Sequence, residues 1–387
     1  MENIGQYITK YVKGKTPKQL FEQQINGSEP YLSPDYLRNK ANPEFYGIPS
    51  NKTVQVEDGE VIVLWDGSNA GEVFVSKKGI LASTMVKLEF DKEELSKDYY
   101  SYSFQYLEYF LKAKTAGSGI PHADKGVIKR LNFFKPPKPE QTAIATILSK
   151  VDEAILATQN SIKAAEKLKK SLMQNLLSGK LKPDGTWRTE DEFYTDEKFG
   201  KYPKEWNFSR FKDYAVLQRG KDLTDNDVVA GKYPVVKSNG VQIYHNQYFV
   251  EPPGVVTGRS GTIGKAFYIE EQFWAHNTTL YVKDFKGNCP KFIYYLILRM
   301  DFRKYYAGTT VPTLNRNDIH RLKISIPKTF EEQEQIANLI DNSDQVIVDK
   351  QNKMEILQRL KKSLMQNLLT GKVRVDVEKI LELCQKK

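Results

Sequence analysis

The ten-residue stretch Leu168–Leu177 reads LKKSLMQNLL, and the same ten residues recur as Leu360–Leu369, 192 residues further along the chain. Solenoid and propeller repeats have periods of about 20–50 residues, so a spacing this long indicates that a whole module has been duplicated. We therefore expect the two halves of the chain to share one architecture and to be related by an internal two-fold.

The repeated stretch ends a long amphipathic helix in each half. Apolar residues in steps of three and four predict the first helix from about Glu140 to Leu177, about 57 Å long at about 1.5 Å per residue. Its seam consists of Ile144, Leu148, Val151, Ile155, Ile162, Ala165, Leu168, Leu172 and Leu176, with a gap at Thr158. The second seam consists of Ile336, Ile340, Ser343, Ile347, Met354, Leu357, Leu360, Leu364 and Leu368, with Lys350 in place of Thr158. Polar residues in a seam weaken packing but specify the register of paired helices.

The matching seams predict that the two helices pack on each other as an intramolecular antiparallel coiled coil. The alternatives are that they are ordinary core helices or that they dimerise with another chain. Each helix follows proline and acidic residues, such as Pro136 and Glu140, which suit the start of a helix. Each is followed by a glycine, Gly179 or Gly371, which suits its end.

The helices divide the chain into four segments. Residues 1–135 and 182–328 carry short β-type runs separated by turns, and they predict two α+β domains. Residues 136–181 form the central long helix, and residues 329–387 form the second long helix and a tail. The sequence thus predicts an α+β protein with two mixed domains separated by two long helices in a pseudo-two-fold arrangement.

The two domains resemble each other only weakly, but their similar stretches occur in the same order. Asp66–Gly71 aligns with Gly258–Gly264, and residues 116–121 align with residues 307–312. Since the helices stay alike while the domains diverge, the pattern favours one scaffold that carries two specificities. The second domain opens with YPKEW at residues 202–206, which has no counterpart in the first, so the first strand of the first domain is expected to be shortened or supplied elsewhere.

Composition restricts the class of protein. The 387 residues are 40% apolar and carry a net charge of +10, with 22 tyrosines. Excess positive charge attracts polyanions, and Tyr beside Lys or Arg suits phosphate contacts and base stacking, although charge alone also fits a solvated lysine-rich face. The sequence contains no long apolar run and no signal-peptide pattern, so we expect a cytoplasmic protein with no membrane association. Cys289 and Cys384 lack the spacing of a zinc site or a disulfide framework.

The order of segments resembles the DNA-specificity subunit of type I restriction–modification systems over nearly the whole chain. The features that carry the resemblance are the loop GRSGTIG (258–264), the segment YPVVKSNG (233–240), the paired Ala-Gly-x-x-x-Pro loops, the Pro-x-x-x-Glu-Gln helix start and the LKKSLMQNLL[ST]GK helix end. No single motif is decisive, but their doubled and ordered occurrence is.

The resemblance implies that each domain is a target-recognition domain that reads one half of a split, asymmetric site in double-stranded DNA. It also implies that the helices separate the domains and dock two methyltransferase (modification) subunits, which two restriction (translocase) subunits join. On this interpretation the chain itself binds no cofactor, because S-adenosylmethionine, ATP and magnesium belong to the partner subunits.

Candidate DNA contacts lie in the glycine-rich loops, because glycine lets the backbone approach DNA and Arg, Asn and Gln can read base edges. The strongest candidates are Arg259, Ser260, Thr262, Ser68 and Asn69. The next group comprises Lys237, Ser238, Asn239, Thr309, Thr310, Ser118 and His122. Arg219, Lys221, Lys13 and Lys15 are candidate phosphate anchors. The alternative for each loop is a plain turn that uses Gly and Ser for conformational reasons.

The chain lacks recognisable catalytic motifs. It has no FxGxG cofactor loop, no Asn/Asp-Pro-Pro-aromatic motif, no Walker lysine loop and no metal-ligand cluster, and its four histidines are scattered. We therefore predict a non-catalytic recognition subunit. One rival hypothesis is an autonomous DNA-modifying or DNA-cleaving enzyme with an unrecognised active site, and another is a structural coiled-coil protein that binds no DNA.

Overall fold

The structure is a computed structural model that describes residues 1–38, 42–114, 121–302 and 313–385. The chain forms two compact units, residues 1–159 with 352–387 and residues 160–351. Each unit contains one β-rich domain and a part of each long helix.

The first unit begins with a domain of short strands. Its strands are β1 (Glu2–Asn3), β2 (Ile8–Lys13), β3 (Leu20–Phe21), β4 (Glu29–Leu32), β5 (Tyr46–Gly47), β6 (Gln55–Val56), β7 (Val61–Leu64), β8 (Val73–Val75), β9 (Gly79–Leu81), β10 (Met85–Phe90) and β11 (Asn132–Phe133). Its helices are α1 (Pro34–Leu37), α2 (Lys97–Ala113), α3 (Lys125–Lys129) and the start of α4 (Lys138–Leu176).

Two sheets share the core of this domain. One is antiparallel in the order β2-β10-β7-β8, and the other has the order β3-β5-β4-β9-β6. Strand β7 belongs to both cores, because Val61 and Val63 pack in the cluster that contains the α2 aromatic residues, while Ile62 and Leu64 pack in the cluster of the second sheet. Side chains alternate across a strand, so a continuous apolar run such as VIVL indicates burial on both faces.

The second unit repeats this plan. Its strands are β12 (Phe193–Asp196), β13 (Gly200–Pro203), β14 (Asn207–Arg210), β15 (Val216–Arg219), β16 (Tyr233–Lys237), β17 (Gly240–His245), β18 (Gly254–Gly258), β19 (Ala266–Ile269), β20 (Trp274–Ala275), β21 (Thr279–Asp284) and β22 (Lys323–Ile326). Its helices are α5 (Pro290–Arg299) and α6 (Arg316–Arg321), followed by α7 (Phe330–Leu368), which continues into the first unit with α8 (Val377–Gln385).

The four-stranded sheet of the second unit matches that of the first. The antiparallel order β15-β21-β18-β19 corresponds strand for strand to β2-β10-β7-β8. A three-stranded sheet, β17-β16-β20, lies beside it, and β12 pairs with β13. Strand β14 pairs with β22 over four residues, whereas its counterpart β1 pairs with β11 over two. The first strand of the first domain is therefore present and shortened.

The two long helices have the same length of 39 residues, and their bounds lie 192 residues apart. Within each unit their parts run antiparallel, since Ile144 at the start of α4 shares a core with Leu368 at the end of α7, and Leu176 shares one with Ile336. The fold class predicted from the sequence is confirmed, with two α+β domains and an antiparallel helix seam.

A matching trio of side chains ties the helix pair to the domain helix in each unit. In the first unit Asp152 accepts from Tyr102 Oη at 2.9 Å and pairs with Lys361 at 2.7 Å. In the second, Tyr295 Oη lies 3.3 Å from Asp344 Oδ2 and 3.2 Å from Asp341 Oδ1, and Asp344 pairs with Lys169. The lysine and the aspartate lie at the same positions of the two helix copies, so this set of contacts was duplicated with the helices.

The predicted seam is wrong at Leu168 and Leu360, whose exposed fractions are 57% and 44%. Two successive steps of three residues, as from Ile162 to Leu168, rotate the side chain about 120° off the stripe at about 100° per residue. A step of three followed by a step of four leads instead to Lys169 and Lys361, the lysines of the trios. At this level each helix seam therefore contains a lysine, whereas the sequence pattern predicted the leucine next to it.

A buried glutamine fastens the start of each long helix to its domain. Gln141, fully buried, donates Nε2 to the carbonyls of Glu94 and Pro136 and accepts from the N–H of Ser96. Gln333, 192 residues later, donates to Asn288 Oδ1 and the Pro327 carbonyl and accepts from the N–H of Cys289. These contacts explain physically why the Glu-Gln helix start occurs twice.

Candidate nucleic-acid interface

The loop after β18 is held in shape by backbone hydrogen bonds. The N–H groups of Arg259 and Ser260 donate to the carbonyl of Thr278 at 2.8 and 3.2 Å, and the N–H of Leu314 donates to the carbonyl of Arg259 at 2.8 Å. A Cβ atom at Gly258 would collide with the carbonyl of Thr262, so only glycine fits the start of this loop. The scaffold fixes where the side chains of Arg259 and Ser260 begin.

Other predicted residues meet this loop. The N–H of Ser238 donates to Thr278 Oγ1 at 3.3 Å, and Arg219 donates Nε to the carbonyl of Asn277 at 3.3 Å. Lys221 forms a parallel β-bridge with His276. Asn239 lies exposed in the turn between β16 and β17. The structure thus places six predicted residues of the second domain beside the turn at residues 275–279, namely Arg219, Lys221, Lys237, Ser238, Arg259 and Ser260. Asn239 and Thr262 lie in the two loops that these residues belong to.

The cluster is cationic. Burial and then the charge of Arg219 lower the pKa of the Arg259 guanidinium. Burial and then Lys237 lower the pKa of His276, and these effects outweigh the opposing charges of Asp222 and Asp225. In the described part of the chain neither Arg219 nor Arg259 has a carboxylate partner. A bound anion would relieve the repulsion between these groups, so the site suits phosphate or the acceptor-rich edge of guanine.

The first domain builds the same scaffold with other side chains. The N–H groups of Trp65 and Asp66 donate to the carbonyl of Thr84 at 2.8 and 3.2 Å, and the N–H of Ala123 donates to the carbonyl of Trp65 at 2.8 Å. Asp66 forms a β-bridge with His122, as Ser260 does with Thr313. Gly67 and Gly261 both adopt positive φ, at 122° and 78°. Trp65 therefore matches Arg259, and Asp66 matches Ser260.

This match corrects the alignment made from the sequence, which placed Asp66 beside Gly258, two residues away from its structural counterpart. Sequence reasoning also missed Trp65 and Asp66 as members of the site. The signal that could have found them is the presence of two glycines in each loop, Gly67 with Gly71 and Gly261 with Gly264, all of which adopt positive φ. The first pair is four residues apart and the second is three. Loop insertions hide such a signal when only short stretches are aligned.

The predicted residues of the first domain have different surroundings. Lys13 Nζ lies 2.9 Å from Asp66 Oδ2, and His122 Nδ1 lies 2.7 Å from Asp66 Oδ1. Ser68, Asn69 and Lys15 are exposed. Lys13 is thus ion-paired with the carboxylate of Asp66, and His122 is hydrogen-bonded to the same carboxylate. The predicted residues Ser118, Thr309 and Thr310 lie outside the described residues.

Two further histidines have structural contacts. His320 Nε2 accepts from the N–H of Leu217 at 2.9 Å, and the buried His245 accepts from the N–H of Val229 at 3.1 Å. Within the described residues no group of three or more His, Cys, Asp or Glu side chains could hold a metal ion. Among the same residues no helix has the length and apolar composition that a membrane span requires.

The sequence model of the family described as "Type I restriction modification DNA specificity domain" matches residues 3–167 and 203–362. The two matches include both glycine loops and most of each long helix. The chain belongs to this family. It is a DNA-specificity subunit of the type I restriction–modification class, and the family predicted from the sequence is confirmed.

Similar proteins agree with this family. The chain is 31% identical over 420 residues to the specificity subunit of the type I restriction enzyme MjaVIII of Methanocaldococcus jannaschii, covering 96% of this chain and 92% of that protein. The MjaIX specificity subunit of the same organism is 22% identical, covering 95% and 92%. Both relatives are named specificity subunits of type I restriction enzymes. This chain is likewise a specificity subunit, which is a recognition role rather than an enzymatic one.

Solved structures share the fold of this specificity subunit. The crystal structure of the type I restriction–modification S subunit from M. genitalium superposes with a TM-score of 0.61 at 16% identity and covers 95% of both chains. A chain from a structure on complex assembly and conformational transition of the type I R-M system gives 0.56 at 12% identity, covering 96% of this chain and 97% of that one. At these identities the similarity concerns the fold alone.

Proposed function

We propose that this specificity subunit reads a bipartite, asymmetric site in double-stranded DNA, with one domain on each half-site. The observation that carries the proposal is the loop scaffold built twice from the same backbone hydrogen bonds and furnished with different side chains. Arg259 and Ser260 occupy one copy, while Trp65 and Asp66 occupy the other. Equal backbones with unequal side chains are what two readers of unlike half-sites require, because side chains supply base specificity.

We further propose that the long helices set the spacing between the half-sites. A helix of 39 residues is about 58 Å long at about 1.5 Å per residue, and the duplicated trios and glutamines fasten each domain to it. Two readers on one stiff element can engage two half-sites only at a defined separation, as dimers of DNA-binding proteins do.

We also propose that the helices carry a duplicated docking surface. Leu156 and Leu168 of α4 are exposed, and so are Val348 and Leu360 at the same positions of α7. The first unit presents Leu156 with Leu360, and the second presents Val348 with Leu168. We propose that each pair contacts one modification subunit, so that two such subunits bind, and that two restriction subunits then join the complex.

The chemistry would reside in these partners. The proposal places S-adenosylmethionine with the modification subunits, and ATP and magnesium with the partners that move or cut DNA. The specificity subunit would supply the DNA contacts and the docking surface, and the complex would act in the cytoplasm, where the DNA is.

The experiment that tests the proposal uses the purified full chain, first alone and then with co-expressed modification subunits. The chain alone is expected to bind random duplex DNA with an affinity that falls steeply as salt rises, and to turn over nothing when given DNA, magnesium and S-adenosylmethionine. Turnover by the chain alone would establish the autonomous enzyme instead. Absence of salt-dependent binding in both preparations would favour the structural coiled-coil protein.

A further inference from the structure

Asp66 is a carboxylate on the face that the proposed function assigns to DNA. It takes the place of Ser260, since the N–H of each donates to the equivalent carbonyl, of Thr84 or Thr278. A carboxylate near phosphates is unfavourable unless something offsets its charge. Loop geometry does not require an aspartate, because the second domain has a serine at the same position. The carboxylate of Asp66 therefore needs another explanation.

Two cationic or polar groups flank Asp66 and leave part of it open. Lys13 contacts Oδ2 and His122 contacts Oδ1. The Asp66 side chain is 24% exposed, while those of Lys13 and His122 are 57% and 60% exposed. An ionised carboxylate has about four lone-pair sites, so about two remain for a further donor. Lys13 offsets the negative charge, and so does His122 when it is protonated.

The carboxylate stays ionised in this setting. Burial acts to raise the pKa of Asp66, but the hydrogen bonds from Lys13 and His122 outweigh burial and lower that pKa below its usual value. An ionised aspartate accepts hydrogen bonds and donates none. In the major groove the base groups that donate are the exocyclic amino groups of cytosine and adenine.

We propose that Asp66 is a specificity-determining residue of the first domain, which accepts a hydrogen bond from the amino group of a cytosine or an adenine in its half-site. This inference rests on the proposed function. The second domain has Ser260 at the position of Asp66, and it has Arg259 where the first domain has Trp65. Arg259 donates hydrogen bonds, whereas Asp66 accepts them from the neighbouring position of the same loop scaffold. One backbone scaffold then reads the two half-sites with different hydrogen-bond chemistry, which contributes to the asymmetry of the full site.

The test compares the full chain, with its co-expressed modification subunits, to the Asp66→Ser variant in selection and sequencing of a randomised duplex library. Serine is the residue that the second domain accommodates at this position, so the substitution suits the backbone. The parent should select one base pair at one position of one half-site, read through the single amino group, of cytosine or adenine, that each pair presents in the major groove. Asp66→Ser should reduce that preference about 10-fold or more, since a hydroxyl bonds to any base, and leave the other half-site unchanged.

Two further variants isolate the role of the acceptor. Glu93→Gln removes an exposed carboxylate of the same domain away from the loop and should change no preference. Lys13→Met breaks the ion pair but keeps the acceptor, so it should weaken binding to all sequences and preserve the preference. Thermal melts establish that each variant is folded.

The contrary result is equally specific. If Asp66→Ser binds every sequence more tightly and keeps all base preferences, Asp66 only neutralises Lys13 and His122, and the inference is wrong while the proposed function stands. If the parent itself selects no sequence, the proposed function fails first. A change of base preference in both half-sites would also overturn the inference, because the proposal places Asp66 on one half-site only.

Discussion

Substitution of Gln141 by methionine should destabilise the first unit strongly, although the two side chains are similar in size. In the parent, three backbone groups find their partner in this fully buried amide, namely the carbonyls of Glu94 and Pro136 and the N–H of Ser96, at 2.9 to 3.0 Å. Methionine fills the space and satisfies none of them. A buried polar group left without a partner costs about 1–3 kcal/mol, so the loss should be at least about 3 kcal/mol.

The duplication supplies a second trial of the same reasoning. Gln333→Met should destabilise the second unit by a similar amount, because the N–H of Cys289, the carbonyl of Pro327 and Asn288 Oδ1 lose the same kind of partner. Gln159→Met changes an exposed glutamine on α4 and should alter stability by no more than about 0.5 kcal/mol. This variant is the matched control.

Urea unfolding of the full chain, followed by circular dichroism, measures these differences as shifts of the midpoint. Hydrogen exchange assigns each shift to the unit that carries the substitution. Losses below about 1 kcal/mol in both Gln141→Met and Gln333→Met would refute the reasoning. Such a result would mean that water or a rearranged helix start replaces the amide.

Three other changes test separate parts of the account. Arg259→Ala should weaken binding by about 1–3 kcal/mol and relax preference at one guanine of the half-site, whereas Lys221→Ala should weaken binding to all sequences alike and reduce the salt slope by about 1, both measured by fluorescence anisotropy. Insertion of four residues in each long helix adds about 6 Å and should lengthen the preferred spacer by about one to two base pairs, and unchanged spacing would contradict the role of the helices in spacing. Because the pKa of Asp66 is lowered in the folded protein, its contribution to stability is complete above about pH 4 and is lost as pH falls through the lower folded value. Thermal melts between about pH 5 and about pH 2 should therefore show a smaller loss of stability in Asp66→Ser than in the parent.

The long helices were predictable because their signal is local and repeated. A period of three and four residues over ten turns leaves little ambiguity, and the duplicated segment gave each helix an independent second copy. The predicted seam was wrong at Leu168 and Leu360. Two successive steps of three residues led there to a leucine that lies off the apolar stripe. There the fold uses Lys169 and Lys361, because an aspartate and a tyrosine from elsewhere in the chain complete the contact.

The candidate site was predictable in position and less so in composition. Glycine-rich loops identified the turn around Arg259, since glycine is required where the backbone folds tightly. Asp66 and Trp65 escaped notice because their equivalence with Ser260 and Arg259 is a matter of backbone hydrogen bonds, which diverged sequences do not reveal. The contact of Lys13 with Asp66 joins residues 53 positions apart, and no local pattern encodes it.

The most direct test of the central claim is methylation mapping of genomic DNA from cells that express this chain with its modification subunits. We expect methylated bases inside two short, unlike sequence blocks separated by a spacer of fixed length and arbitrary sequence. Deletion of the chain should abolish the pattern. A single continuous motif, a palindrome, or modification that persists without the chain would contradict the claim that two diverged domains on duplicated helices read one bipartite site.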